Sequence, residues 1–374
     1  MASKKAKGSS NTTSNTGAKT ALTRLWKTHL KEYVTAIAWC PTGNQLVASS
    51  AAGEVVIYSL RSGESTVLQM EQGESVDALA ISADGQFLAA GGQSGTVWIW
   101  QLQDNDPVPP ADLGPITTLA HARTWIDCLQ WHPHLPLLAF SLGRYAQVWD
   151  AAAQTVVTTL SFDTSSVLDL GWHPEGQQLS LGGNQSIKTW RLSDWDDDPE
   201  VREIGGASGA IAWSPDGIYL ASGNNDRSVM VWPPEGDYPW RMTGFPGKVR
   251  QLAWSRPLAQ GGDPLLASVC GEGIVVWRKA TEASEGWKPR VLDPHKGTVR
   301  GVAFQPGSLL LATAADDGRL CLWPKAARLG QVLTGTANGF SCLGWSPQGT
   351  ALAAGGSQGE LLVWSAGKAG QGFG

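Results

Sequence analysis

Two aromatic positions recur along this chain at nearly fixed distances, each at the end of a short apolar run. The first set is Trp39, Trp131, Trp172, Trp213, Trp254, Phe304 and Trp345, with Ile81 in the matching place of the second unit. The second set is Trp100, Trp149, Trp190, Trp232, Trp277, Trp323 and Trp364, with Tyr58 in the first unit. Members of the second set follow one another at 41 to 49 residues; the two sets stand 18 or 19 residues apart in seven units and 23 in the sixth. This register defines eight repeats, and a period of this length marks an array of supersecondary units. Two residues before the first set comes Ile37, Leu79, Leu129, Leu170, Ile211, Leu252, Val302 or Leu343. Turn chemistry follows the first set, as in CPTG, HPEG, SPDG and SPQG; Pro presets φ and Gly accepts positive φ. A short strand such as QLVASS or YLASGN comes next, then a second turn such as AAGE or DDGR. The last strand alternates, as in Val229 and Val231 before Trp232. Alternation of period two with Trp on the opposite face predicts strands buried on both sides, and therefore sheets packed between sheets. Small residues beside the first set (Ala38, Ala80, Gly171, Ala212, Ala253, Ala303, Gly344) would let a neighbouring sheet come close.

The units resemble WD40 repeats, whose pattern runs GH…V…V-A-F-S-P-D-G…L-A-S-G-S…D…I-x-x-W-D. IAWSPDGIYLASGNNDRSVMVW (211–232) matches best, followed by the run from His295 through VAFQPGSLLLATAADDGRLCLW to Trp323. The resemblance spans residues 21–366 and implies an all-β fold: a WD40-type β-propeller with four antiparallel strands per blade around a central channel. In that family each repeat begins with the outer strand of the preceding blade. The segment ALTRLWKTHLKEYV (21–34) is therefore expected to supply the outer strand of the last blade and close the ring. Eight blades follow from this; seven would require one unit, the irregular third, to lie outside. The family's final Asp survives only as Asp150, and its turn Asp only as Asp226 and Asp317. The buried polar network that the resemblance implies is complete only as His295, Thr313, Asp317 and Trp323, so most blades are expected to lean on Trp packing. The Trp-rich, Lys-poor style resembles bacterial members of the family, cyanobacterial ones especially.

Composition narrows the classes. Of the 374 residues 42% are hydrophobic, which is enough for a core and excludes wholesale disorder. Residues 1–20 are small, polar and basic without the apolar run of a secretory signal, and read as a disordered tail. Residues 21–366 read as one domain of eight repeats, and 367–374 as a flexible C-terminal tail. No apolar run reaches the ~18 residues of a membrane span. A net charge of −5 argues against general nucleic-acid binding. Five Cys without C-x-x-C spacing argue against a disulfide scaffold or a Cys-based zinc site and read as small buried hydrophobes. The expected location is the cytoplasm, with no cofactor.

Thirteen of the 19 Trp belong to the two repeating sets. Trp26 and Trp240 fall on expected outer strands and Trp98 on a last strand; Trp125, Trp195 and Trp287 sit near loops. The resemblance places partner binding on the loops that lead into each first strand, which in register are Tyr33, Ser75, Trp125, Ser166, Ala207, Lys248, Thr298 and Gly339. Tyr33, His121, Arg123 and Lys248 around Trp125 would form an aromatic–basic patch of the kind that anchors partners. DWDDDPE (194–200) holds five acids and raises cation binding, although its spacing is not that of an EF-hand and a solvated loop reads better. His132, His134 and His173 stand where the family has Ser-Pro turns, so they read as turn residues rather than metal ligands. Nucleophile-elbow, HExxH and phosphate-loop motifs are missing. The reading is a non-enzymatic scaffold, monomeric within a complex, that binds one or more proteins or peptides. Two alternatives are an accessory protein in metal homeostasis partnering a metallochaperone GTPase or transporter, and a propeller hydrolase or lactonase with a channel metal. Recognition of a modified residue by an aromatic cage is a further option.

Overall fold

The computed structural model describes residues 21–102, 109–110, 113–121, 124–233, 238–256, 262–282 and 285–366. The segments 1–20 and 367–374, read as tails, lie outside the described residues. Among the described residues there are 31 strands, all paired antiparallel, and no α-helix. Each repeat is a meander. In unit 1 the strands are Val34–Trp39, Gln45–Ser50, Val55–Ser59 and Ser65–Gln69.

The spacing of the two aromatic sets has a simple cause in the cross-strand register. In unit 1, Trp39 lies opposite Leu46, and Leu46 lies opposite Tyr58. The same row recurs as Ile81–Leu88–Trp100, Trp131–Leu138–Trp149 and Trp172–Leu179–Trp190. It continues as Trp213–Leu220–Trp232, Trp254–Leu266–Trp277, Phe304–Leu311–Trp323 and Trp345–Leu352–Trp364. Directly opposed residues share a face of the sheet, so every unit carries one transverse row with Leu at its centre. The longer spacing in unit 6 falls between Trp254 and Leu266, outside the paired strands, and leaves the row intact.

These rows face the preceding unit. The described core falls into eight apolar clusters, each shared by two units. Leu46, Val56 and Tyr58 of unit 1 pack with Ala353, Leu361 and Val363 of unit 8, whereas Val47, Val55 and Ile57 pack with Leu88 and Trp100 of unit 2. Alternation in one strand thus serves two interfaces. The first strands also touch in sequence order, and that of unit 8 touches that of unit 1. The strand Leu22–His29 completes the sheet of unit 8 by pairing with Glu360–Ala366, from Leu22 opposite Ala366 to His29 opposite Glu360.

One connection departs from the meander pattern. The 14-residue strand Glu200–Trp213 is both the outer strand of unit 4 and the first strand of unit 5, which fuses two units into one seven-stranded sheet. The small residues of GGASGA let the chain run on without a turn there.

Hydrogen bonds stitch each interface in addition to the apolar contacts. Indole Nε1 of Trp131, Trp172, Trp254 and Trp345 donates to the carbonyl of Ala80, Gln130, Ala212 and Ala303, at 3.1, 3.1, 3.0 and 3.3 Å. Trp39 does the same to Gly344 of unit 8 at 3.0 Å. The acceptor is in each case the residue just before the first-set residue of the preceding unit. Trp213 departs, donating to Ser180 Oγ at 3.2 Å. On the opposite edge, where the turns follow each first strand, side chains donate to the next unit. His132 Nε2 reaches Gly176 O at 3.0 Å, His173 Nε2 reaches Gly217 O at 3.1 Å, and Gln305 Nε2 reaches Gly349 O at 2.7 Å. Gln348 Nε2 reaches Pro41 O of unit 1 at 2.6 Å. Nδ1 of His132 accepts the N–H groups of His134 and Leu135, which leaves the proton on Nε2. The histidines are therefore structural clasps, and Gly176 and Gly217 are required twice over. Both have positive φ (87° and 72°), and a Cβ on either would run into the imidazole of the preceding unit.

The ring of Trp131 and its Nε1–H act separately, which a graded substitution resolves. Trp131→Phe keeps the ring but leaves the Ala80 carbonyl without its donor, an expected cost of about 1–3 kcal/mol. Trp131→Ala also empties the row, at about 3–5 kcal/mol. Urea unfolding midpoints should separate the two; a Trp131→Phe midpoint equal to that of the parent chain would show that the indole hydrogen bond contributes nothing.

Candidate functional site

The loops that lead into the first strands, together with the hairpins between second and third strands, make one face, here called the leading face. Hairpin length differs among units. It is four residues in units 1, 5 and 7, three in units 2 and 8, two in units 3 and 6, and one in unit 4. Longer hairpins place an acid where it can hold the incoming loop. Glu54 Oε1 accepts Lys31 N–H at 2.6 Å, and Glu360 Oε1 accepts Ala337 N–H at 3.4 Å. Both carboxylates are buried. Searching for Asp at this turn misses them, because Glu two residues nearer the last strand reaches the same loop.

In unit 7 the anchor is a relay. Trp323 Nε1 donates to Thr313 Oγ1 at 3.1 Å, and His295 Nε2 lies 2.9 Å from the same hydroxyl. The Asp317 carboxylate facing Nδ1 can only accept, so Nε2 of the neutral ring accepts the Thr313 hydroxyl proton while the indole donates to that hydroxyl's oxygen. The His295 proton then sits on Nδ1, which faces Asp317 at 3.3 Å. Asp317 also accepts the N–H groups of Lys296 and Arg319. Burial holds the His295 imidazole below its ordinary pKa despite the carboxylate.

Where the hairpin shortens, space opens. In unit 6 only Gly271 and Glu272 join the strands Leu266–Cys270 and Gly273–Lys279. Cys270 Sγ, in place of an acid, accepts Gly247 N–H at 3.1 Å. A cleft of about 1080 Å³ lies here, with Phe245, Ile274, Val275 and Trp277 in its apolar lining and Lys248, Arg250 and Lys296 around it. Glu272 and Asp293 also line it. A second cavity, of about 440 Å³, lies among the first strands of units 3 to 8 and shares Arg250 with the cleft. Its wall is apolar at Leu168, Ile211, Leu252, Val302 and Leu343, with Asp169 and Arg300 beside them. Asp169 accepts Ile211 N–H of unit 5 at 2.8 Å and Leu170 N–H at 2.9 Å. Its surroundings push its carboxyl up to about 6, through burial first, against these two hydrogen bonds.

The residues read as a partner patch are placed as follows. Trp125 is 60% exposed, and Lys248 is exposed on the rim of the cleft. Tyr33 is half-buried beside Arg300 and Asp316, and burial raises its hydroxyl. His121 lies 5.7 Å from the Phe140 ring, and burial lowers its imidazole. Arg123 lies outside the described residues. Tyr33, Trp125 and Lys248 belong to the leading loops of units 1, 3 and 6, and among the described residues no hydrogen bond, ion pair or ring contact joins them. The structure instead gathers Lys248 with Arg250 and Lys296.

Of the three Trp near loops, only Trp125 remains exposed. Trp287 is buried against Tyr219, Trp240 and Trp254, with ring centroids 5.6 to 6.4 Å away. Trp195 packs edge-on to Trp172 at 6.2 Å. No set of three or more His, Cys, Asp or Glu among the described residues is placed to hold a metal ion. Within 194–200, Glu200 pairs with Arg202 at 2.7 Å, and Asp194 accepts Asp196 N–H. No disulfide joins the described cysteines.

A repeated four-stranded meander, packed sheet on sheet in sequence order, defines a β-propeller-like repeat protein. Five segments, 20–59, 65–101, 204–233, 286–324 and 328–365, match the family model described as WD domain, G-beta repeat, and the chain belongs to the WD40 repeat family. Four of the five matched segments include the outer strand of the preceding sheet, 204–233 beginning inside the shared strand Glu200–Trp213, and 20–59 includes the strand that completes unit 8. Units 3, 4 and 6, the ones with short hairpins, supply no matched first strand.

Telomerase protein component 1 of Mus musculus is 25% identical over 303 residues, 79% of this chain and 11% of that protein. WD repeat-containing protein slp1 of Schizosaccharomyces pombe is 24% identical over 304 residues, 78% of this chain and 58% of that protein. Protein HIR1 of Cryptococcus neoformans var. neoformans serotype D is 28% identical over 228 residues, 51% of this chain and 25% of that protein. The chain thus spans less than two thirds of each of these relatives. All three are eukaryotic and give the bacterial style of the sequence no support.

Two substitutions test the electrostatics. Thr313→Val keeps the shape but leaves Trp323 Nε1 and His295 Nε2 unpartnered, an expected loss of about 1–3 kcal/mol in urea unfolding. For Asp169, the folded pKa of about 6 lies above the ordinary 3.8, so the folded chain holds the extra proton. The stability Asp169 confers relative to Asp169→Asn is complete below pH 3.8 and lost as pH rises through about 6. That difference should shrink by up to about 3 kcal/mol over the window. Parallel pH curves for the two proteins would refute the assignment.

Proposed function

We propose that this chain is a non-enzymatic WD-repeat scaffold. In this reading its eight units close into an eight-bladed ring, and its leading face holds a segment of a partner protein. The ring reading is supported by the eight shared clusters, including that of units 8 and 1, and by the pairing of Leu22–His29 with Glu360–Ala366. The binding reading is carried by the cleft of unit 6. An apolar floor with Phe245 and Trp277, bordered by Lys248, Arg250 and Lys296, offers the aromatic and cationic anchors common in protein interfaces. Exposed Trp125, with His121 close by in sequence, forms a separate contact region on unit 3, and Tyr33 a further one on unit 1. The relatives are WD-repeat proteins, which supports a role in assembling complexes. A cytoplasmic location, residues 21–366 as one domain, and a monomer within its complex belong to the same reading. No helix among the described residues is long and apolar enough to cross a membrane. Nothing among the described residues favours the metal-homeostasis or hydrolase alternatives.

The test uses the full chain as bait to capture and identify a partner, followed by affinity measurement with that purified partner. Lys248→Glu combined with Lys296→Glu should weaken binding at least about tenfold, with most of the change lost again at high salt. Arg123→Glu combined with Trp125→Ala measures the region on unit 3. Unchanged affinity in both double variants would remove the leading face as the binding surface.

A further inference from the structure

The residue four places before the first aromatic set reads, from unit 1 to unit 8, Thr35, Asp77, Asp127, Leu168, Gly209, Arg250, Arg300 and Ser341. In units 1, 2, 5, 7 and 8 this residue is skipped by the pairing register of the first strand. It is the extra residue of a β-bulge, a device that re-aims a side chain out of the ladder. Leu168, Gly209, Arg250 and Arg300 all border the same cavity among the first strands; in a closed ring the equivalent positions of the other units, Asp77 and Asp127 among them, face the same opening.

Charge in this set is sorted. Two acids occupy the consecutive units 2 and 3, and two arginines the consecutive units 6 and 7. In a ring of eight, unit 2 stands across from unit 6, and unit 3 across from unit 7. The like charges are neighbours in space as well: burial and the charge of Asp77 together hold the Asp127 carboxyl above its ordinary pKa. Asp77 accepts only the Ser75 hydroxyl among the hydrogen bonds of the described residues. Arg250 has no ion pair among the described residues, and Arg300 shares an exposed one with Asp316 at 3.2 Å. Deeper in the cavity the wall is apolar, at Ile211, Leu252, Val302 and Leu343. Charges above such a wall act through less water and discriminate more strongly.

We propose that this opening selects an extended segment of a partner protein in which a Lys or Arg stands next to an Asp or Glu. Side chains of adjacent residues in an extended chain point in opposite directions. The cation then lies on Asp77 and Asp127 while its neighbouring carboxylate lies on Arg250 and Arg300. A segment with two like charges must place one of them against its own sign, which is how a bipolar site excludes uniformly acidic or basic partners. This rests on the reading of the leading face as the partner-binding surface and of the units as a closed ring.

The probes are four fluorescein-labelled octapeptides of Gly and Ser, with Lys-Glu, Lys-Lys, Glu-Glu or Ser-Ser at the centre. Fluorescence anisotropy is read on the full chain at low and at physiological salt. The Lys-Glu peptide should bind at least about tenfold more tightly than each of the others. The preference should disappear in Asp77→Asn with Asp127→Asn, and separately in Arg250→Gln with Arg300→Gln, with circular dichroism melts confirming that both variants fold. Equal binding of the four peptides, or tightest binding of Glu-Glu or Lys-Lys, overturns the charge sorting and leaves the leading face as a binding surface. Binding by none of them also overturns it, and the proposed function is then decided by the Lys248 and Lys296 variants with the captured partner.

Discussion

Face-to-face contact between consecutive sheets is the constraint on which this molecule depends. No single four-stranded unit has a core of its own, since every apolar cluster is shared by two units. What fills each contact is the transverse row of an aromatic or Ile, a Leu and a second aromatic, set against the alternate aliphatic residues of the sheet before it. Burying one Trp removes ~150–250 Å² from water, so a Trp-rich row supplies much of the cohesion between neighbours. The cost of this arrangement is dependence: a unit without both neighbours would expose two apolar faces at once.

Apolar contact by itself does not fix how two sheets align, because it is non-directional. At six of the eight contacts, indole or turn hydrogen bonds supply the direction. Indoles such as those of Trp39 and Trp131 point back to a carbonyl of the preceding unit, while His132, His173, Gln305 and Gln348 point forward to a turn of the next. Bonds running in opposite senses at two levels of the same interface resist both sliding and rotation. The glycines at positive φ in the turns belong to this clasp, since they admit the neighbour's side chain as well as the turn.

Where the repeat relaxes, surface becomes available. The complete relay of unit 7 and the buried glutamates of units 1 and 8 hold their loops close to the hairpins. Unit 6 replaces the acid with Cys270 and shortens the hairpin, and the cleft is the consequence. The same local departures remove units 3, 4 and 6 from the family pattern, so the positions that diverge most from the repeat are also those that shape the leading face.

The sequence by itself determined the unit, its strands and its turns, because period-two alternation, Pro-Gly turns and the two aromatic sets are local signals. It also identified the residues of the unit 7 relay, since His295, Thr313, Asp317 and Trp323 stand at fixed offsets within one repeat. Tertiary structure decided everything that depends on a neighbour. That Leu46 and its equivalents centre the rows follows from strand register, and that His132 and His173 clasp the next unit follows from sheet-on-sheet placement. The sharing of Glu200–Trp213 by two units and the burial of Trp287 are of the same kind. The separation of Tyr33, Trp125 and Lys248 has the same origin: equal register positions are alike in sequence, yet each is carried by a different sheet. A repeat encodes what a residue does within its unit; which residues meet across units is set by the packing geometry of the array.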